Sequence, residues 1–555
     1  MQKSSNQKLS TAESSRYLGA LRENATRNGV YDSALAADFI TTTTSQGESS
    51  TSVRVPDRLQ AVLDECSSEG QQGIARALIA GAEEYERSHG CPVPGDVVEQ
   101  AIHTAYGCTR SAARRYSLDS AADSNHQDNR ALQPNRAVVS ILSIFSEAIS
   151  FAHYLPADIG SNEAVLAIMS HNAGSTYGSY RQGAGMDGHL SGESYIDSSR
   201  LHVCTVAGTA ITGKITTVQD TPETCDPTAD SVKLLRGRSL VYVSGLEAAR
   251  EISTTGSGPS TVSGQITLGG STYQISGTID TDTGDIDLVS SPAIPATLPV
   301  MVQAFIDYER DPAKVPSIIT AVETFKLHAK PWRVLTHQSI DSRTQMANEL
   351  GLDPYSESVM AIQQQYANER HYSVLGQARR IAVNNSAEFD FSWTQRNATM
   401  NRSQIWYDLA PVLGALSQQM ALDTNNHGIS HLYVGKEIAA QWMGLSRDIF
   451  DPSGISERPG IYRVGRLFGR YEVYYTPRVV TGSDAAAQIL CIGRGTDVTR
   501  NPFILGDAVP PSIIPLATNG DLKQGAGFYA RNFTAVNPHA QSALGCAVIN
   551  VLNMA

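Results

Sequence analysis

From Thr324 to Lys330 apolar and polar positions alternate, with Phe325, Leu327 and Ala329 on one side and Thr324, Lys326, His328 and Lys330 on the other. Period two is the pattern of a strand with one wet face. Pro331 comes next and has no donor N–H, which predicts that ladder pairing stops there. A helix is expected from about Asp341, with an interruption at Gly351. Asp353 as N-cap, Pro354 at the first helical position and Glu357 in the first turn then restart it, each suited to unpaired N–H groups and the positive end of the helix dipole. Val359, Ile362, Tyr366 and Leu375 give this second segment an apolar side. The pattern predicts a two-part helix lying against a long strand.

Elsewhere the patterning is uneven. Residues 58–87 read as helical, with Leu59, Val62, Leu63, Ile74, Leu78 and Ile79 near helical spacing around a Ser-Ser-Glu-Gly break. The polar run at 41–52, TTTTSQGESSTS, reads as a linker. The apolar run at 137–155 is broken by Ser140, Ser143, Ser146, Glu147 and Ser150, which favours a buried or interface helix over a membrane span. Residues 136–230 are rich in Gly, Ser and Thr without clear period, so either an extended segment or a set of surface loops is expected. Residues 231–316 are the most strand-like, a meander turning at Gly269-Gly270 and again in TDTGD, where Asp282 and Gly284 sit, and ending in the alternation Val300, Val302, Ala304, Ile306, Tyr308. After residue 401, helix candidates at 403–422 and from Lys436 alternate with strands YEVYY, ILCIG and GCAVINVL. A mixed α+β fold follows.

With 555 residues the chain has material for several cores, and charged residues make up only 18% of it. The net charge of −12 argues against a strong nucleic-acid binder, which needs Lys and Arg to neutralise phosphates. The first twenty residues lack an apolar run, so no secretory signal is expected. Seven scattered cysteines without a Cys-x-x-Cys pair fit a reducing cytoplasm. Asp280, Asp282, Asp285 and Asp287 lack the spacing and closing Glu of a calcium loop, so turn chemistry is favoured there. His427 and His431 are four apart, but Gly428 and the strand-like HLYVG argue against a shared helical face for a metal. Phosphate-loop, dinucleotide, nucleophile-elbow and His-Glu-x-x-His motifs are absent from the sequence, which removes the easiest routes to an enzyme without excluding one; the expectation is a non-enzyme with no catalytic residues and no cofactor.

The segment KLHAKPWRVLTHQSIDSRTQMANELGLDPYSES, with QYANERHYSVL after it, resembles the spine-helix region of tailed-phage major capsid proteins, nearest to the T-even group. Gly351, Leu352, Asp353, Glu357, Asn368, Glu369 and Arg370 stand at the comparable places. GRYEVYYTPRVV, AQILCIGRG and NPFILGDAVPPSIIPLA are more loosely similar to the way such proteins close their axial domain. Together these matches span residues 322–555. The resemblance implies a Hong Kong 97-like capsid fold: a polar, helical N-terminal region at 1–135, an N-arm at 136–230, an enlarged β-rich extended loop at 231–316, a peripheral domain with the spine helix at 317–400, and an axial domain with return strands at 401–555. The N-terminal region is then either a scaffold-like segment that a maturation protease removes or an arm that stays. The implied function is a virion subunit assembled in the host cytoplasm into pentamers and hexamers of an icosahedral head. Its implied partners are scaffold, portal, protease and decoration proteins and non-specifically contacted double-stranded DNA, with no membrane. Lys326, Lys330, Arg333, Arg343, Glu357, Glu369 and Arg370 are expected on the wet side of the spine, where ion pairs with neighbouring subunits would set register. Encapsulin-type shells are a near alternative, and a soluble multidomain enzyme or carbohydrate-binding protein is the rival from another class.

Overall fold

The computed structural model describes residues 2–27, 30–45, 53–107, 128–156, 162–351, 354–516 and 523–555. Two compact units emerge, one formed by Met1–Ile168 with Thr324–Ala555 and the other by Met169–Glu323.

The first unit begins with α1 (Gln2–Ala25), the short pair β1 (Thr26–Arg27) and β2 (Val30–Tyr31), then α2 (Ser33–Ser45), α3 (Asp57–Glu65), α4 (Ser68–His89), α5 (Gly95–Gly107) and α6 (Asp128–Glu147). The Ser67 hydroxyl accepts the Gly70 N–H at 3.3 Å to start α4, and Gly90 ends it with φ +69°, a left-handed conformation that glycine adopts without penalty. Close packing of α4 on α6 requires Gly81, because a Cβ there would lie 2.4 Å from Cδ2 of Phe145. The linker expected at 41–52 is helical as far as Ser45, since Ala36 and Ile40 are buried and anchor α2; residues 46–52 lie outside the described residues. The apolar run at 137–155 is not one helix: α6 ends at Glu147 and β3 (His153–Tyr154) follows. β4 (Glu163–Ala173) then carries the chain from the first unit into the second.

The second unit contains β5 (Ser199–Val203), β6 (Thr205–Ala207), β7 (Ala210–Lys214), β8 (Gln219–Thr221), β9 (Thr224–Cys225), β10 (Leu240–Val243), β11 (Leu246–Glu251), β12 (Pro259–Leu268), β13 (Ser271–Asp280), β14 (Asp285–Ser291) and β15 (Val300–Phe305). Nine of these form one sheet in the order β5-β15-β10-β11-β12-β13-β14-β7-β6. Val241, Val262, Ile275, Ile286 and Val302 are buried in its core. Gly269 and Gly270 have φ +56° and +82°, the two-residue turn that joins antiparallel strands with matching twist. The expected division at 230/231 does not appear as a break. β7 pairs with β14, Ile211 opposite Leu288, and β5 pairs with β15, so residues on both sides of 230 share one sheet. Residues 256–290, read from sequence as part of a projecting loop, supply β12, β13 and most of β14 to that core.

The chain returns through β16 (Ile318–His328), then β17 (Lys330–Ser339), α7 (Ile340–Leu350), α8 (Pro354–Ala382), β18 (Ser386–Asp390), α9 (Trp393–Arg396), α10 (Arg402–Tyr407), α11 (Leu409–Thr424), β19 (Ile429–Val434), α12 (Lys436–Met443), β20 (Phe450–Pro452), β21 (Tyr462–Leu467), β22 (Tyr471–Tyr475), β23 (Ala487–Gly493), β24 (Phe503–Leu516), β25 (Lys523–Val536), α13 (Ala540–Ala543) and β26 (Cys546–Leu552). Pro331 does not end pairing as its missing donor suggested. It is the second residue of β17, opposite Arg531. β17 is an edge in the order β17-β25-β24-β3, and an edge strand has one side with no ladder to supply.

Seven strands, β18-β26-β23-β19-β22-β21-β20, form the central sheet. Leu432 and Val434 of β19 and Ile489 and Cys491 of β23 belong to a core with Trp406, Leu413 and Trp442. The alternate residues Tyr433, Leu490 and Ile492 belong to a second core with Leu21, Ile74, Ile102, Ile141 and Leu375. Burial of both faces explains why ILCIG is a continuous apolar run rather than an alternation. Among the described residues, no helix is long and apolar enough to cross a membrane.

Candidate assembly surface

The site is built on β17, β25, β24 and α8. Ser339 caps α7 by accepting the Ser342 N–H at 3.2 Å, and Gly351 closes it with φ +65°. Pro354 is the first residue of α8, and its carbonyl accepts a hydrogen bond of 2.6 Å from Gln338 Nε2. Leu352 and Asp353, the expected cap among them, lie outside the described residues. α8 covers one face of the sheet: the Tyr366 ring lies 5.3 Å from Trp332 of β17 and 5.1 Å from Phe528 of β25, and Trp332 Nε1 donates to Asn532 Oδ1 at 2.8 Å.

The opposite face is open. Leu335 is 65% exposed and Ile514 is 39% exposed, and the register sets both beside Gly527, with Leu335 Cδ2 3.5 Å from where a Cβ on that glycine would be. On the same face the Arg333 guanidinium lies 5.5 Å from the centre of the Tyr529 ring, a cation–π contact. Val334, opposite Phe528 on the other face, is 45% exposed. The outer edge of β17 pairs with no other strand among the described residues. An open strand edge with exposed apolar side chains beside it can take a further strand or pack against another surface.

Of the seven charged residues expected on the spine, Lys326, Lys330, Arg333, Glu357 and Glu369 are exposed. Lys326 Nζ is 3.4 Å from Glu163 Oε2, which also lies 3.4 Å on its other oxygen from His328 Nδ1. Arg343 is on α7, and its side chain lies outside the described ones. Arg370 differs from that expectation: it is 2% exposed, and its Nη2 is 3.1 Å from Asp507 Oδ1, itself 2% exposed. Burial works against the guanidinium charge, but Asp507 and the surrounding oxygens outweigh it and raise the pKa further. The signal was in the spacing, because Tyr366, Arg370 and Val374 are each four apart and so share one stripe of the helix.

Other candidates fall elsewhere. Asp280 accepts the Asp282 N–H at 2.9 Å within the β13–β14 turn, Asp282 pairs with Arg310, and Gly284 takes φ +79° against the Ile215 carbonyl. His427 and His431 are both buried, and burial pushes the His431 pKa down to about 3. No cluster of three or more His, Cys, Asp or Glu able to hold a metal occurs among the described residues. A cleft of about 760 Å³ in the second unit is lined by His171, Tyr180, Asp187, Glu193, Tyr195 and Ile196 among others. There Asp187 accepts both the backbone N–H and Nδ1 of His171, each at 2.8 Å.

No family model matches this chain, and none of the curated proteins does. Solved structures similar to it include the capsid of the jumbo bacteriophage PhiKZ, at 9% identity over 72% of this chain and 91% of that one, with a TM-score of 0.35. The Microbacterium phage Oxtober96 structure shows 12% identity over 60% and 95% of the two chains, with a TM-score of 0.29. The SrpI encapsulin complex of Synechococcus elongatus shows 11% identity over 43% and 79%, with a TM-score of 0.28.

Proposed function

We propose that this chain is the major capsid protein of a tailed phage, a subunit that assembles as rings of five and six into a closed shell around double-stranded DNA. One observation carries the reading: the β17 edge is open, and the sheet face beside it leaves Leu335 and Ile514 in water. Such a surface is a liability in a lone chain and an asset in one that self-associates. Contacts between unlike patches of identical chains close into rings when the rotation per subunit allows it. The exposed charges Lys326, Lys330, Arg333, Glu357 and Glu369 set register across such contacts rather than supplying affinity. Arg370, being buried, has no part in them. The capsid-like residue order of 322–375 supports the same reading.

Negative-stain electron microscopy with sedimentation velocity on the full chain tests it, comparing wild type with Leu335→Asp. Closed shells, or rings of five and six, are expected from the wild type, and folded, dispersed subunits from the variant. Shells from Leu335→Asp would remove the β17 face from the interface, while wild-type monomers in the presence of a co-produced scaffold would overturn the shell reading. The nucleic-acid content of particles made during infection separates a DNA-filled head from an encapsulin-type compartment.

A further inference from the structure

The sequence leaves two fates open for the N-terminal region, removal or retention. α4 and α5 do not sit as an appendage on the first unit. Every residue from Asp96 to Ala105 of α5 is buried. The Asp96 carboxylate accepts from Arg494 NH2 at 3.0 Å and from the Tyr154 N–H at 2.9 Å, and lies 3.0 Å from His153 Nδ1. One turn further along, Gln100 Nε2 donates at 3.2 Å to Asp507 Oδ2, the carboxylate that pairs with the buried Arg370 of α8. From α4, His89 Nδ1 meets the Tyr474 hydroxyl of β22 at 2.9 Å, and the Gly90 carbonyl accepts from Arg466.

Taking these helices away would cost far more than apolar contact. It would deprive Arg494 of its carboxylate and Asp507 of a donor, and open the core in which Ile74, Leu78 and Ile102 lie with Tyr433, Leu490 and Ile492. A buried charge stripped of its partner is among the most costly defects a fold can carry. A removable segment is held by contacts the remaining domain can do without, and this one is held by contacts the remainder needs.

We infer that α4 and α5, residues 68–107, are a permanent part of the first unit's interior, held against β22 and β24, retained on the mature subunit, and not a segment that maturation removes. The permanence of these helices rests on the interior of the first unit alone, and their retention through maturation rests in addition on the proposed shell function.

The test places a recognition sequence for a site-specific protease within residues 108–127 of the full chain and cuts it under native conditions at neutral pH. The two fragments are expected to co-elute from gel filtration as one species and to separate only in denaturant. If the N-terminal fragment elutes apart in native buffer, the inference is overturned. Should the inserted sequence resist cutting, the two pieces are produced together as separate chains; co-purification then supports the inference and separate elution refutes it. The intact mass of the subunit in mature particles is a second readout, and a chain that lacks residues 68–107 would refute the inference directly.

Discussion

Replacing Asp96 with Asn keeps the shape of the side chain and removes its charge. The asparagine oxygen can still accept the Tyr154 N–H, but Arg494, with its side chain 17% exposed, is left without a carboxylate. Burial opposes the Asp96 charge, yet Arg494 and the His153 contact outweigh it and hold the carboxyl well below the usual range. Breaking a buried pair by removing one partner costs about 3–5 kcal/mol, and the partial exposure of Arg494 argues for the lower end. The exposed pair of Arg250 and Glu247 in the second unit is worth about 1 kcal/mol or less, so Glu247→Gln is the control. Global unfolding of a chain with two units is not two-state, so the assay is hydrogen exchange by mass spectrometry on α5 and, as internal reference, β13. About 3 kcal/mol corresponds to a loss of protection of roughly a hundredfold in α5, with β13 unchanged. The sign with pH follows from the depressed folded value: the stabilisation is fully present above the ordinary carboxylate range near 3.8 and is lost as pH falls below it. A change in α5 of less than about tenfold would refute the claim that this pair holds the N-terminal helices down.

His431 is buried, and His89 and His371 half-buried, beside Tyr85, Tyr433 and Tyr474, with Arg458, Arg463 and Arg494 as nearby cations, and desolvation lowers the pKa values of His89, His371 and His431 to about 4, about 3 and about 3. Folding keeps all three neutral, so stability should be intact above about pH 6.5 and fall below it by about 1 kcal/mol per pH unit for each histidine. Glu147, pushed up by burial to about 7, and Glu99 and Asp507, also raised by burial, oppose this above their ordinary values, while the lowered pKa of His427 adds to it, so the readout is taken on β19, which carries His431. Exchange protection of β19 that stays flat from pH 7.5 to 5 would contradict the argument. Gly81→Ala should gain about 1 kcal/mol of helix propensity and lose about 1–3 kcal/mol to overpacking. The new Cβ would sit 2.4 Å from Cδ2 of Phe145, whose ring is 1% exposed and has nowhere to withdraw. Weaker hydrogen-exchange protection of α4 is expected, and stronger protection would show that the ring yields.

Local patterns were legible wherever one residue's neighbours in sequence are also its neighbours in space. Gly351 ending one helix, Pro354 starting the next, the Gly269-Gly270 turn and the break between α3 and α4 all lie within a few residues of the signal that marks them. The run ILCIG likewise declared a strand, because a strand buried on both faces needs no polar residue. What the sequence did not contain was which distant segment meets which. Pro331 reads as a stop until β17 is known to be an edge. Arg370 reads as solvated until Asp507, far along the chain, is placed beside it, although its spacing from Tyr366 and Val374 already put it on the inner stripe. The division at 230/231 rested on composition, and the pairing of β7 with β14 and β5 with β15 erased it. The N-terminal region looked polar, with removal and retention both open, because its apolar faces are spread over several helices, none of which shows a core alone. Only the packing of α4 against β22 and of α5 against β24, with His89 on Tyr474, Asp96 on Arg494 and Gln100 on Asp507, made it part of the interior, since burial and long-range pairing are properties of the assembled fold and not of any window of the chain.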